Sequence, residues 1–242
     1  MTAVLVHGVP DTERVWHAVV PRLSRTDVVT LRLPGFGGPA PSDFAATKDA
    51  YAAWLVEHIA AGGEPVDLVG HDWGALLVLR AACLRPDLVR SWTAGAAPLD
   101  ADYVWHKVAQ LWQTPGVGEQ VMTKLTAAAL AKALAAEGVP PADARETAAH
   151  LDDTMKRCIL RLYRSALEVG KEWVPDLGRL TAPGLVLWGE RDPYAAPTWG
   201  ERLARRTNAR FVSLPGCAHW WPLERAADVA ALLTAHWEGV GR

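Results

Sequence analysis

The sequence lacks several features that would have decided its class at once. Its three cysteines, Cys83, Cys158 and Cys217, are odd in number and far apart. That spacing fits neither a disulfide framework nor a zinc site, and it points to a reducing compartment. No apolar run approaches the ~20 residues of a membrane span. Met1 leads straight into fold-like sequence without a signal peptide, so a cytoplasmic protein with no membrane partner is expected. Long runs of one charge are missing too: 25 Lys and Arg stand against 27 Asp and Glu, a net charge of −2. Such a balance offers no surface for nucleic acid or an anionic membrane. There is no internal repeat and no low-complexity linker. What remains is a chain of 242 residues, half of them apolar. It is long enough for one substantial core carrying an insertion, and its expected partner is a small apolar molecule, with a homodimer left open.

The most informative stretch runs from Val66 to Leu79, where a short apolar run meets two close glycines and then a long apolar helical segment. It reads as strand, sharp turn and buried helix. Gly70-His71-Asp72-Trp73-Gly74 has the Gly-x-nucleophile-x-Gly form, in which two glycines permit a backbone that lifts the central side chain above a sheet. The central residue is Asp72, where serine or cysteine would be expected. A carboxylate is already ionised at neutral pH and suits displacement at a saturated carbon, which would leave an alkyl ester on Asp72. A plain structural turn aspartate is the alternative.

The rest of the chain alternates strands and helices, as a parallel sheet requires. Residues 2–6 form a strand ending in His7-Gly8-Val9-Pro10, followed by a helical pattern at Val15, Trp16, Val19, Val20 and Leu23. The backbone N–H of Val9, at a strand's C-terminal end, is a candidate donor to an oxyanion, whereas His7 reads as a buried histidine tying loops together. Residues 28–33 are the next strand, and Pro34-Gly35-Phe36-Gly37-Gly38-Pro39 is a structural loop without the spacing of a phosphate or dinucleotide site. Residues 46–60 read as a helix, and a further strand runs over about 89–97. From Pro98 the pattern changes to some eighty residues of helical periodicity without a strand, broken at Pro115-Gly116 and Gly138-Val139-Pro140-Pro141. This divides the chain into a core domain, 1–97 and 177–242, and a helical cap (lid), 98–176. The sheet resumes at 183–188, so Asp192 follows a strand end, and His219 follows the last strand at 210–214. The order nucleophile, acid, histidine allows Asp192 to orient the imidazole of His219.

These motifs together resemble the α/β-hydrolase superfamily over nearly the whole chain, and within it the aspartate-nucleophile branch of epoxide hydrolases and haloalkane dehalogenases. Only a few residues precede His7, so the expected α/β fold is a mostly parallel sheet of about six strands with helices on both faces and the inserted cap. The resemblance implies an epoxide hydrolase that makes vicinal diols without metal or organic cofactor. Asp72 attacks a ring carbon, Asp192 and His219 activate water, and the backbone N–H groups of Val9 and Trp73 hold the oxyanion. Leu162-Tyr163-Arg164-Ser165 resembles the lid segment whose tyrosine binds the epoxide oxygen. No second tyrosine is obvious, and Val104-Trp105-His106 resembles the variant in which a histidine, here His106, takes that place. Twelve tryptophans, among them Trp73, Trp105, Trp112 and Trp220, suit a pocket for aromatic or polycyclic substrates. A haloalkane dehalogenase would use the same three residues with the Trp73 indole as halide donor, but Val9 supplies no side-chain donor. An Arg that would hold a carboxylate substrate is replaced by Trp73. A non-catalytic binding protein of the same fold is the remaining alternative.

Overall fold

In the computed structural model, which describes residues 2–240, six strands form one sheet. They are β1 (Ala3–Val6), β2 (Val28–Leu31), β3 (Val66–His71), β4 (Val89–Gly95), β5 (Gly184–Gly189) and β6 (Arg210–Leu214). Their order is β2-β1-β3-β4-β5-β6, and every neighbouring pair is parallel. The chain leaves β1 toward one edge and leaves β3 toward the other, so the crevice above these two adjacent strands is the topological switch point where ligands bind in such sheets.

Alternation along β1 shows how the sequence builds two cores. Val4 and Val6 face one side with α1 (Lys48–Ala60) and α2 (Trp73–Leu84), while Ala3 and Leu5 face the other with the C-terminal helix. Helix α2 is buried on nearly every side, as its continuous apolar sequence Ala75–Leu79 demands. Truncating Leu77 to Ala, at a fully buried position, would cost about 3 kcal/mol through transfer and cavity terms. Thr47 caps α1 by accepting from the Ala50 N–H at 3.2 Å, which starts the helix two residues later than the apolar pattern does.

Between β4 and β5 the chain is helical: α3 (Lys107–Gln113), α4 (Val117–Lys124), α5 (Ala127–Ala136), α6 (Pro141–Ala149), α7 (Asp153–Arg164) and α8 (Val169–Trp173), then a 3-10 stretch, Val174–Arg179. The breaks fall at the Pro and Gly clusters: Gly116 precedes α4 with φ 79°, and Gly138 separates α5 from α6 with φ 102°. After β5 come α9 (Pro197–Thr207), and after β6 the short α10 (Trp221–Glu224) and α11 (Ala226–Val240). No helix among the described residues is long and apolar enough to cross a membrane.

One expected element is different. The apolar positions from Val15 to Leu23 do not form a continuous helix but two 3-10 turns, Glu13–Trp16 and Val20–Arg22. Pro21 has no N–H to give and its ring blocks a carbonyl four residues back, so the pattern buries Val15, Trp16 and Val19 without an α-helix.

Candidate active site

Asp72 sits at the apex between β3 and α2 with φ 53° and ψ −126°, a backbone conformation costing about 1–3 kcal/mol for a non-glycine residue. Close packing enforces it. A Cβ at Gly74 would run into the Val6 and His7 carbonyls, and one at Gly70 into the Gly74 carbonyl. The Asp72 N–H donates to the Gly95 carbonyl at 3.0 Å, which ties the apex to β4.

The two carboxylate oxygens of Asp72 have different surroundings. Oδ1 accepts from the Val9 N–H at 2.8 Å, and the Trp73 backbone N–H favours the ionised form of the carboxylate. Oδ2 lies 3.7 Å from Nε2 of His219, within ion-pair reach but too far for a hydrogen bond. The loop that carries Val9 is itself fixed by His7, which is fully buried. Its Nδ1–H donates to the Gly8 carbonyl at 2.8 Å and its Nε2 accepts from the Leu33 N–H at 3.0 Å, so one neutral tautomer fills both roles. Burial holds its pKa down to about 4. His7 is thus the loop-tying histidine that the sequence suggested.

Asp192 is held just beyond β5. Its Oδ1 accepts from the N–H groups of Tyr194 at 2.8 Å and Ala195 at 3.1 Å, and its Oδ2 accepts from Nδ1–H of His219 at 2.8 Å. The His219 backbone carbonyl receives the Nε2–H of His71 at 2.9 Å. Burial disfavours a charged His219, but Asp192 and Asp72 together outweigh it and push the imidazole pKa well up. Burial likewise works against the Asp72 carboxylate, yet the nearby His219 brings its pKa below the ordinary value. Both shifts favour the charged form of the resting pair, carboxylate and imidazolium.

Above Asp72 lies a cavity of about 260 Å³ between the sheet edge and helices α3–α7, with almost entirely apolar walls. Tyr163, on α7, lines it; Trp105 and Trp112 stand edge-on to its ring at 5.3 and 4.9 Å. Burial keeps the Tyr163 phenol protonated, and the nearby Asp72 charge acts in the same direction. His106 also lines the cavity. It caps α3, its Nδ1 accepting from the Ala109 N–H at 3.3 Å, so the remaining proton of the neutral ring is on Nε2. Burial lowers its pKa, which favours that neutral form.

Trp105, Trp112 and Trp220 all line the cavity, but the side chain of Trp73 is not among the lining groups. Trp105 stacks on it at 5.8 Å and 15°, and Tyr163 meets it edge-on at 5.4 Å, so the indole is walled off while its backbone N–H still serves Asp72. Its expected place as a substrate contact is corrected on that ground.

Three lining residues escaped the sequence, and a fourth lies beside them. Asp11, 1% exposed, accepts from Nε1 of Trp220 at 3.1 Å, and burial raises its carboxyl to about 7. Tyr194 packs edge-on against His219 at 4.9 Å and donates its hydroxyl to Glu137; the Tyr103 hydroxyl donates to the Tyr194 carbonyl at 3.1 Å. Asp11 directly follows His7-Gly8-Val9-Pro10 and Tyr194 lies two residues after Asp192, so their proximity to site loops was the available cue. No cluster of three or more His, Cys, Asp or Glu among the described residues could hold a metal ion.

An α/β sheet with this elbow and these three strand-end residues defines a class, and the chain belongs to it: the profile of the Alpha/beta hydrolase family matches residues 3–232. It is similar to the pimeloyl-(acyl-carrier protein) methyl ester esterase of Neisseria meningitidis, 29% identical over 98% of this chain and 76% of that protein. It is similar also to epoxide hydrolase 3 of Mus musculus, 26% identical over 90% of this chain and 65% of the other. Among solved structures, the haloalkane dehalogenase DbeA from Bradyrhizobium elkani superposes with a TM-score of 0.79 over 99% of this chain and 90% of its own, at 19% identity. At that identity the likeness is one of fold.

Proposed function

We propose that this α/β hydrolase is an epoxide hydrolase, opening an apolar, aromatic or polycyclic epoxide to a vicinal diol through an ester on Asp72. One observation carries the reading. The elbow presents a carboxylate with one oxygen held by the Val9 backbone N–H and the other directed toward His219, beneath an apolar cavity that a buried phenol lines.

In the first half-reaction the free oxygen of Asp72 attacks a ring carbon and the carbon–oxygen bond breaks. Tyr163, with His106 beside it through Nε2–H, donates to the oxygen that leaves. Forming the ester removes the Asp72 charge that helped hold the proton on His219, so the imidazolium yields a proton to balance the new hydroxyl. In the second, neutral His219, oriented by Asp192, takes a proton from water that attacks the ester carbonyl. The oxyanion forms on the oxygen already bound by the Val9 N–H, with the Trp73 N–H as its second donor. Collapse expels the diol oxygen, which His219 protonates, and the new acid returns its proton to His219 to restore the resting pair. Helices α3–α8 act as the cap that keeps bulk water from the ester.

The esterase relatives act on methyl esters, but attack of a carboxylate on an ester carbonyl would form an anhydride, a higher-energy acyl species than the ester consumed. Asp72 is therefore poorly matched to that substrate and well matched to a saturated carbon. Dehalogenation is the second reading, favoured by the indole N–H groups of Trp73 and Trp112, which have no hydrogen-bond partner. Both nitrogens are buried from the cavity as well as from solvent, so a halide would reach them only after the rings moved. A paired screen of neutral aromatic epoxides and matched haloalkanes, read as diol formed and halide released, should give diol. Halide release without diol would replace the epoxide reading with the dehalogenase one.

A further inference from the structure

None of the residues lining the cavity is Lys or Arg; its one cationic group, His219, lies between the carboxylates of Asp72 and Asp192, so that Glu137 is a lining carboxylate without a counter-charge of its own. Glu137 has no cationic partner within ion-pair distance among the described residues; its carboxylate accepts from the Tyr194 hydroxyl. It stands at the C-cap of α5, where its N–H already takes up the Ala133 and Leu134 carbonyls. The negative end of that helix dipole therefore adds to the carboxylate charge. Tyr194 spans the distance between Glu137 and His219, and Tyr103 and Trp220 line the same wall. A cation arriving there meets aromatic faces as well as a carboxylate, two favourable and independent terms. An anion meets an unpaired carboxylate, a helix C-terminus and walls too apolar to screen either.

We infer that Glu137 makes the cavity selective for charge: it favours substrates with a cationic tail remote from the reacting carbon, accepts neutral ones and rejects carboxylates. For the position of the reacting carbon this rests on the epoxide-hydrolase reading. It adds to that reading a substrate class, amphiphilic epoxides bearing a basic amine, and a residue that sets it.

The test uses three probes of one shape and no epoxide, 4-phenylbutylammonium, 4-phenylbutanol and 4-phenylbutanoate, titrated against the intact chain by quenching of its tryptophan fluorescence. In the wild type the ammonium should bind tightest and the carboxylate weakest, with a ratio of at least about 10-fold between them. Glu137→Gln retains an oxygen that can accept from Tyr194 and loses only the charge, so it should shrink that ratio by about 10-fold. Glu137→Lys should invert it, while Asp72 contributes equally to all three proteins. An unchanged ratio in Glu137→Gln, a wild type that prefers the carboxylate, or a wild type that binds none of the probes would overturn the inference. Because no probe can be hydrolysed, diol formation from a neutral epoxide without a charge preference would leave the epoxide reading standing and remove this one. A charge preference without diol formation would do the reverse.

Discussion

Two aspartates five residues apart, one near the start of β3 and one just past its end, show how one sheet uses carboxylates at its two ends. Asp67, near the start of β3, has a side chain with no exposure; Arg25 donates to its Oδ2 at 2.7 Å, Arg90 binds the same oxygen, and the Ser91 hydroxyl donates to Oδ1 at 2.5 Å. Both oxygens are occupied by side-chain donors, two of them cationic, and Asp67 does not line the cavity above Asp72. Asp72, just past the end of β3, keeps 18% of its side chain exposed, has a backbone donor on one oxygen and leaves the other facing His219 across a gap. A carboxylate saturated by arginines is a structural tie; one held by a backbone dipole with an oxygen left open has the geometry that the proposed nucleophilic role requires. The difference lies in the partners that the fold delivers, since the residue type is the same and one strand positions both.

The largest expected effect breaks this comparison in two. Asp72→Asn should lower turnover at least about 1,000-fold while leaving the melting temperature near that of the wild type, because an amide keeps the hydrogen bonds but cannot attack. Asp67→Asn should do the opposite, losing about 3 kcal/mol in urea unfolding as two arginines lose their counter-charge, with kcat little changed in the folded fraction. Equal losses of activity in both variants would erase the distinction.

Next in size are the lid donors. Tyr163→Phe keeps the ring among Trp73, Trp105 and Trp112 but removes its proton, and single-turnover ester formation should slow by about 100-fold. His106→Phe, which also removes an α3 cap, should slow it by about 10-fold. Rapid-quench measurement of the first turnover reads both, and an undiminished rate in Tyr163→Phe would leave the tyrosine as packing alone.

How much of this was legible in the sequence depended on how local each cause was. β3, the elbow and α2 were read almost residue by residue, because glycine spacing and apolar runs are local properties. Asp192 and His219 were placed correctly beyond strand ends for the same reason. Contacts between distant residues were not legible. Asp11 meets Trp220 across 209 positions and Tyr194 meets Glu137 across 57, and neither pair follows from pattern or spacing. The side chain of Trp73 was misjudged because adjacency to Asp72 in sequence fixes its N–H but not the direction of the indole, which Trp105 and Tyr163 enclose.

The smallest expected effect concerns Asp11, another buried aspartate. Burial raises its carboxyl to about 7, so the folded state binds a proton that the unfolded state releases near pH 4. Its contribution to stability is present at low pH and is lost as pH rises from about 4 through 7. Asp11→Asn removes that dependence while its amide oxygen still accepts from Trp220. At pH 8 the variant should melt several °C above the wild type, and the advantage should vanish near pH 4. A difference independent of pH would mean that Asp11 acts through packing rather than charge.

The claim that Asp72 is the nucleophile is tested most directly by the fate of oxygen in a single turnover. Enzyme in excess over an aromatic epoxide is mixed in water enriched in heavy oxygen, and both the diol and the peptide containing Asp72 are examined by mass spectrometry. Water that attacks the ester carbonyl leaves its oxygen in the Asp72 carboxylate, while the diol departs with an oxygen that was there before. The account predicts an almost unlabelled diol and a labelled peptide. A labelled diol with an unlabelled peptide would mean that water attacks the epoxide directly, with Asp72 as its base, and would contradict the covalent mechanism.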